Sequence, residues 1–264
     1  MTKRIYPCDL TDGEWKYLKK CVPKQKRFGR PPQHPRREIL NAIFYLLRAG
    51  CAWRYVPKEY PPWKTVYHYF REWRSCQWWK RTNQRLRRLV RLKSGRQAQS
   101  SVGILDSQST KTVDTAREAV SFDGGKKVKG RKRHLPVDSL GLVIVVVVHA
   151  AGVSETAGAR AVLAELIGRW WRMKLIWLDG GYKRSLMEWI KGLERWRAVT
   201  LEWVLKLEGE SGFKLLPNRW IVERTCGWLS KHRRLSKDYE GLCETSEAMV
   251  YAGMIRLMLA RLDS

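Results

Sequence analysis

The sequence predicts an α/β fold: a mixed sheet with flanking helices, preceded by a small helical domain. Three observations predict it. Short apolar segments, VGILD (102–106), KLIWL (174–178) and a stretch at 198–204, alternate with longer periodic ones, the order expected of strands covered by helices. The run VIVVVV within 141–149 is continuous and β-branched, as in a strand buried on both faces. Residues 1–100 show only helical spacing and hold 25 Lys and Arg against 6 Asp and Glu, whereas residues 101–264 hold 27 against 19. The polar stretch KSGRQAQSS (93–101) reads as a linker between these unlike halves. The expected division is therefore 1–97, helical, and 98–264, α/β.

The elements follow in order. Thr11 is an N-cap with Glu14 three residues on, a capping box opening DGEWKYLKKC. After a Pro-, Gly- and Arg-rich loop (23–35), REILNAIFYLLRAG sets Ile39, Ile43, Phe44 and Leu47 on one face and stops at Gly50. Beyond Pro61 and Pro62, WKTVYHYFREWRS gathers Val66, Tyr69, Phe70 and Trp73. Residues 78–92 form an Arg-rich helix with a thin Leu seam. In the second half, 102–106 is a strand, and 133–137 with 141–149 is a hairpin turning at Asp138 and Ser139. Residues 154–171 are a helix, 174–178 a strand ending at Asp179, 183–194 a helix and 198–204 a strand. From Pro217, which suits a first helical turn, the chain reads as helix.

Charge narrows the function. With 52 Lys and Arg against 25 Asp and Glu, the net charge of +27 calls for a polyanionic partner, above all nucleic acid. A membrane role is disfavoured: the longest apolar run, Leu142 to Val148, falls far short of the roughly 20 residues of a spanning helix. The segment MTKRIYPCDL carries no apolar signal region. Six cysteines without a CxxC pair suggest reduced thiols in a cytoplasmic setting, and no Cys or His pair has zinc-finger spacing.

Carboxylates are scarce here, so their placement matters. Asp106 and Asp179 each close an apolar strand, and ligands of α/β sheets sit beyond strand C-termini. Glu223 lies in a helix among Arg219, Arg224, Lys231, Arg233 and Arg234. Any one of them alone reads more readily as an ion-pair partner than as a functional group. Together, two or three carboxylates supply the oxygen ligands that Mg²⁺ or Mn²⁺ needs. Two such ions roughly 3.5–4 Å apart serve phosphodiester displacement.

The segments GILDSQS, DGGKKVKGRKRHLPVDSLGL, WLDGGYKR and NRWIVERTCGWLSKHRRLSKDYE resemble the DDE transposases of bacterial insertion sequences, in the group called family five. LRAGCAWRYVPKEYPPWKTVYHYFREWR is similar to that family's leading domain. The resemblance spans nearly the whole chain. It implies a ribonuclease-H-like fold for 98–264 and a metal-binding catalytic triad of Asp106, Asp179 and Glu223. It also implies two Mg²⁺ ions, with Mn²⁺ as the alternative. The family's last motif, Tyr, two residues, Arg, three residues, Glu, six residues, Lys, is matched by Arg219 and Glu223. Leu216 stands at the Tyr position and Ser230 at the Lys position, with Lys231 one later.

The basic residues divide by expected role. Lys126, Lys127, Lys129, Arg131, Lys132 and Arg133, broken by glycines, read as a flexible loop contacting phosphate. Lys64, Tyr67, Arg71 and Arg74 follow the proline turn, as on the second helix of a helix-turn-helix. Arg85, Arg87, Arg88 and Arg91 would track phosphates. Arg219, Lys231, Arg233 and Arg234 surround Glu223, and Trp220 stands to stack on a displaced base or to pack against the sheet. His134 and His149, in strands, read as structural.

The expected protein is a transposase that binds the terminal inverted repeats of its element and target DNA. It would act as a homodimer on DNA, with no membrane partner, in a bacterial cytoplasm in association with the nucleoid. Two alternatives stand beside it. One is a non-catalytic DNA-binding protein, a domesticated transposase or repressor. The other is a ribonuclease-H-like nuclease without strand transfer.

Overall fold

A computed structural model describes residues 4–23, 33–114, 116–167, 169–196, 198–204 and 220–264. Helix α1 (Asp12–Leu18) opens on the expected capping box, with Thr11 and Glu14 each accepting the other's amide at 3.0 Å. Helix α2 (Arg36–Ala49) buries Ile39, Ile43, Phe44 and Leu47 and ends at Gly50. The φ of Gly50 is 75°, and a Cβ there would lie 2.8 Å from that of Arg233, so backbone conformation and crowding both require glycine. Helix α3 (Trp63–Ser75) starts behind the proline pair and buries Val66, Phe70 and Trp73.

Helix α4 (Trp78–Lys93) departs from the sequence reading. Arg87 and Arg91 are buried, not tracking phosphate; both donate to Asp138, at 3.3 and 3.0 Å. A buried carboxylate from a distant segment draws these two cations inward. Arg85 and Arg88 stay exposed.

Among the described residues, six strands form one mixed sheet: β1 (Val102–Lys111), β2 (Ser121–Asp123), β3 (Val128–Asp138), β4 (Val147–Ala150), β5 (Leu175–Asp179) and β6 (Thr200–Val204). Their order is β2-β3-β1-β5-β6, with β4 also paired to β3. Strand β1 runs antiparallel to β3 and parallel to β5, and β5 runs parallel to β6. Helices α5 (Glu155–Leu166), capped by Ser154, and α6 (Ser185–Lys191) connect β4 to β5 and β5 to β6. Helices α7 (Trp220–Ser230) and α8 (Cys243–Asp263) complete the chain.

The predicted hairpin is corrected in detail. Strand β3 begins at Val128, and only the tail of the VIVVVV run enters β4. Leu142 to Val146 are nonetheless buried. Their amides find partners without a ladder: Ile144 donates to the Pro136 carbonyl and Val146 to the Tyr251 hydroxyl. A continuous apolar run reports burial on both sides, which a packed non-strand segment satisfies equally.

Side chains alternate across the sheet. Ile104 and Trp177 face a core shared with α7, α8 and the N-terminal helices, while Leu105 and Leu178 face a second core with α5 and α6. The first core runs from Leu10 and Phe44 to Met254 and Leu262. Helix α8, buried nearly all round, packs on α1, α2, α3, α4 and β4. The connection between α4 and β1 contains residues 97 and 98, and this core extends across it. Among the described residues, no helix is long and apolar enough to cross a membrane.

Candidate active site

The alternation that sorts the cores also positions two carboxylates. In the parallel pair β1 and β5, Ile104 opposes Trp177 and Leu105 opposes Leu178. The next residues on the two strands are Asp106 and Asp179, which by the two-residue period share the face of Ile104 and Trp177. That face carries α7, whose Ile221, Val222 and Leu229 are buried in the same core. Asp106 does not end its strand as the sequence suggested; β1 continues to Lys111, paired with β3.

A cleft of about 370 Å³ opens here, lined by both aspartates with Ser107, Asp123, Lys126, Glu155 and Tyr182 among others. Sequence reading missed Asp123, Glu155 and Tyr182. The one local signal for any of them was the Ser154 N-cap, which sets Glu155 at the first helical position. Glu155 accepts from Lys132 Nζ and lies by His134 Nε2, both at 3.0 Å, while His134 Nδ1 meets His149 Nε2 at 2.8 Å. His149 Nδ1 faces the Ala150 carbonyl at 2.9 Å. Burial lowers the His149 imidazole below its ordinary value, against the pull of its contact with the Ala150 carbonyl.

Burial pushes the Glu155 carboxyl up, but the His134, Ser107 and Lys132 contacts outweigh it and hold the group well below its ordinary value. Burial likewise opposes Asp123, yet bonds from Ser109, the Lys126 amide and Lys132 keep it at about 2. Burial, then the carboxylates of Asp106, Glu155 and Asp179, raise the Tyr182 hydroxyl well above its ordinary value.

Helix α5 approaches this cluster closely because residue 158 is glycine. A Cβ there would stand 2.2 Å from His134 Cε1 and 2.6 Å from His149 Nε2. Gly158→Ala is expected to cost about 1–3 kcal/mol by overpacking, read as a lower Tm in thermal denaturation. An unchanged Tm would mean that the histidines have room to retreat.

Glu223 stands on the exposed side of α7. Its relation to Asp106 is visible at Cys226, one turn on. Burial raises that thiol to about 12, with Asp106 and Glu223 both adding to the rise. Arg133 and Lys126 oppose that rise, and Glu223 is not among the residues that line the cleft. The donor set fits a hard divalent cation: carboxylate oxygens from adjacent strands, with no thiol or imidazole in the cleft lining. Among the described residues, no three His, Cys, Asp or Glu side chains are already grouped as an ion site. Leu216 and Arg219, just before α7, lie outside the described residues.

The cations divide sharply. Arg131, Lys132 and Arg133 are at most 4% exposed, which corrects their reading as a phosphate-binding loop. They belong to β3. Arg131 donates to the Glu240 and Gly241 carbonyls, Arg133 to that of Leu235, and Lys132 pairs with Asp123 at 3.2 Å as well as Glu155. Arg234 is also buried, on Glu240 at 2.8 Å, and half-buried Arg74 donates to Thr245. Lys126, Lys127, Lys129, Lys231, Arg233, Lys64 and Arg71 are exposed. Tyr67 is half-buried against Trp53. Trp220 is 37% exposed, with the Arg224 guanidinium 4.4 Å from its ring centre.

Two family models match the chain. "Putative transposase of IS4/5 family (DUF4096)" matches residues 10–83, and "Transposase DDE domain" matches residues 97–258. No curated protein and no solved structure matches it. The second match covers more than half of the chain and takes in every strand, Asp106, Asp179 and Glu223. The mixed sheet with its flanking helices is the ribonuclease-H-like arrangement of that domain, and the chain belongs to the DDE transposases of the IS4/5 type.

Proposed function

We propose that the chain binds the terminal inverted repeats of its insertion sequence and catalyses DNA cleavage and strand transfer there, with Asp106, Asp179 and Glu223 as its catalytic carboxylates. One observation carries the reading: Asp106 and Asp179 follow matched residues of a parallel strand pair, on the face that α7 covers. Asp106 and Asp179 would hold divalent cations, Mg²⁺ or Mn²⁺, with Glu223 joining from α7. Bound cations would supply the charge that activates water and stabilises the leaving oxygen.

The chain's own residues do the rest. Lys64 and Arg71 on α3, Lys126, Lys127 and Lys129 beside the cleft, and Lys231 and Arg233 beyond α7 neutralise phosphates and set register. Arg219 and Trp220 hold the terminal nucleotides. In the first step water oxygen bonds to phosphorus and the bond to the 3′ oxygen breaks, freeing a 3′-hydroxyl. In the second, that hydroxyl attacks a target phosphodiester and the target's own 3′-hydroxyl leaves. Two ends must react together, so the acting form is a dimer on DNA.

A labelled duplex carrying the element's end, incubated with Mg²⁺, with EDTA, and with the Glu223→Gln variant, tests this. Nicking at the end in Mg²⁺ alone is expected, lost in the variant while a mobility-shift assay still reports binding. Tight binding without cleavage in any metal would make the chain a non-catalytic DNA-binding protein. Equal cutting of duplexes without the end would make it a general nuclease.

A further inference from the structure

Tyr182 carries a hydroxyl whose proton has no acceptor within hydrogen-bonding geometry. The residue is 3% exposed, its hydroxyl is buried with Ser107 beside it as a donor to the phenol oxygen, and it belongs to the lining of the cleft that holds Asp106, Asp179 and Glu155. Buried phenols ordinarily find an acceptor, and a native exception asks for a reason.

Slack in the structure is not that reason. The Tyr182 amide donates to the Asp179 carbonyl at 3.2 Å, and the Trp203 indole N–H donates to the Tyr182 carbonyl at 2.6 Å. The ring meets the His134 ring edge-on, with centroids 6.1 Å apart. Backbone and ring are thus fixed from three sides, and the hydroxyl with them. Ser107 serves the hydroxyl as a donor while its Oγ takes the Lys126 ammonium at 2.7 Å, and Glu155 already accepts from Lys132 beside His134.

We propose that Tyr182 is a ligand-binding donor of the cleft: its hydroxyl bonds an oxygen that arrives with the DNA or with a hydrated divalent cation between Asp106 and Asp179. This rests on reading the cleft as the catalytic site. A neutral donor suits the position. Ionised carboxylates only accept, so a water there can donate to an aspartate while accepting from Tyr182. A phosphodiester oxygen can accept from the same hydroxyl.

Tyr182→Phe deletes that one oxygen and keeps the ring. In EDTA its Tm is expected to equal or exceed that of the wild type, because removing an unsatisfied buried group relieves the fold. Mn²⁺ titration followed by thermal shift, and single-turnover cleavage of the end duplex, then locate the acceptor. If it is cation hydration water, Mn²⁺ affinity falls about tenfold, the equivalent of one hydrogen bond. If it is a phosphodiester oxygen, Mn²⁺ affinity holds while cleavage slows by about the same factor at unchanged DNA affinity.

A lower Tm in EDTA would overturn the inference, since it would reveal a structural partner for the hydroxyl. So would a variant equal to an active wild type in both Mn²⁺ affinity and cleavage, and that result would leave the catalytic reading standing. A wild type with neither cleavage nor a Mn²⁺-induced shift would remove the catalytic reading and this inference together.

Discussion

Asp106→Asn and Asp179→Asn are each expected to abolish end cleavage, by about 10³-fold or more, while leaving the cation-free protein as stable as the wild type. The first expectation follows from charge. A catalytic cation contributes several kcal/mol of transition-state stabilisation, and every ~1.4 kcal/mol is a factor of ten. An amide retains the shape of the carboxylate but not the charge that holds the ion. The second follows from the surroundings. Both groups line one cleft with Glu155, so three carboxylates bear on the Tyr182 hydroxyl at once. Asp106 Oδ1 also accepts the Ser107 amide at 2.7 Å, a bond that an asparagine oxygen preserves. Cleavage rate, DNA affinity and Tm should therefore separate: the first collapses and the other two hold. Tm shifts of more than a few degrees downward would reassign the aspartates to the architecture, since about 2–4 °C corresponds to 1 kcal/mol in a protein this large.

How much of this was legible in the sequence depends on range. The Thr11 capping box and the Gly50 stop are local patterns, and both are in place. The strands bearing Asp106 and Asp179 were legible from apolar runs. That the aspartates become neighbours was not, because it depends on a parallel pairing between remote segments. The basic run 126–133 shows the converse. Its charge is plain in the sequence, but the groups that answer it are Asp123, Glu155 and the carbonyls of Leu235, Glu240 and Gly241, and most of these come from far along the chain. Charge density is local; burial and pairing are tertiary. Glu155 and Tyr182 escaped notice for the same reason. An acidic first helical residue and a tyrosine after two glycines are ordinary until the fold puts them in one cleft.

Asp138→Ala is expected to be the most destabilising of these substitutions, at about 3–5 kcal/mol, the range for breaking a buried ion pair from one side. Asp138 ends β3 and is fully buried. It accepts from Arg91 and Arg87 on α4 and from the amides of Leu140 and Leu142, at 2.9 and 3.0 Å. Burial, with the charges of Arg91 and Arg88 adding to it, lowers the Arg87 guanidinium to about 10 even against the upward pull of Asp138. Arg87 also lies 4.2 Å from the Trp170 ring centre, an interaction that persists without the carboxylate but does not replace its charge. Alanine would therefore strand two cations in the joint between the N-terminal helices and the sheet, and two backbone amides with them. Asp138→Asn should lose less, because its oxygen can still accept the amides. Removing the stranded charges should recover much of the loss, so Asp138→Ala with Arg87→Met and Arg91→Met is expected to be more stable than Asp138→Ala alone. Urea midpoints of the wild type and the three variants decide the matter. A loss under about 1 kcal/mol in the single variant, in the range of exposed pairs, would mean that water reaches the two arginines and that the joint is held by the apolar core from Leu10 to Leu262 alone.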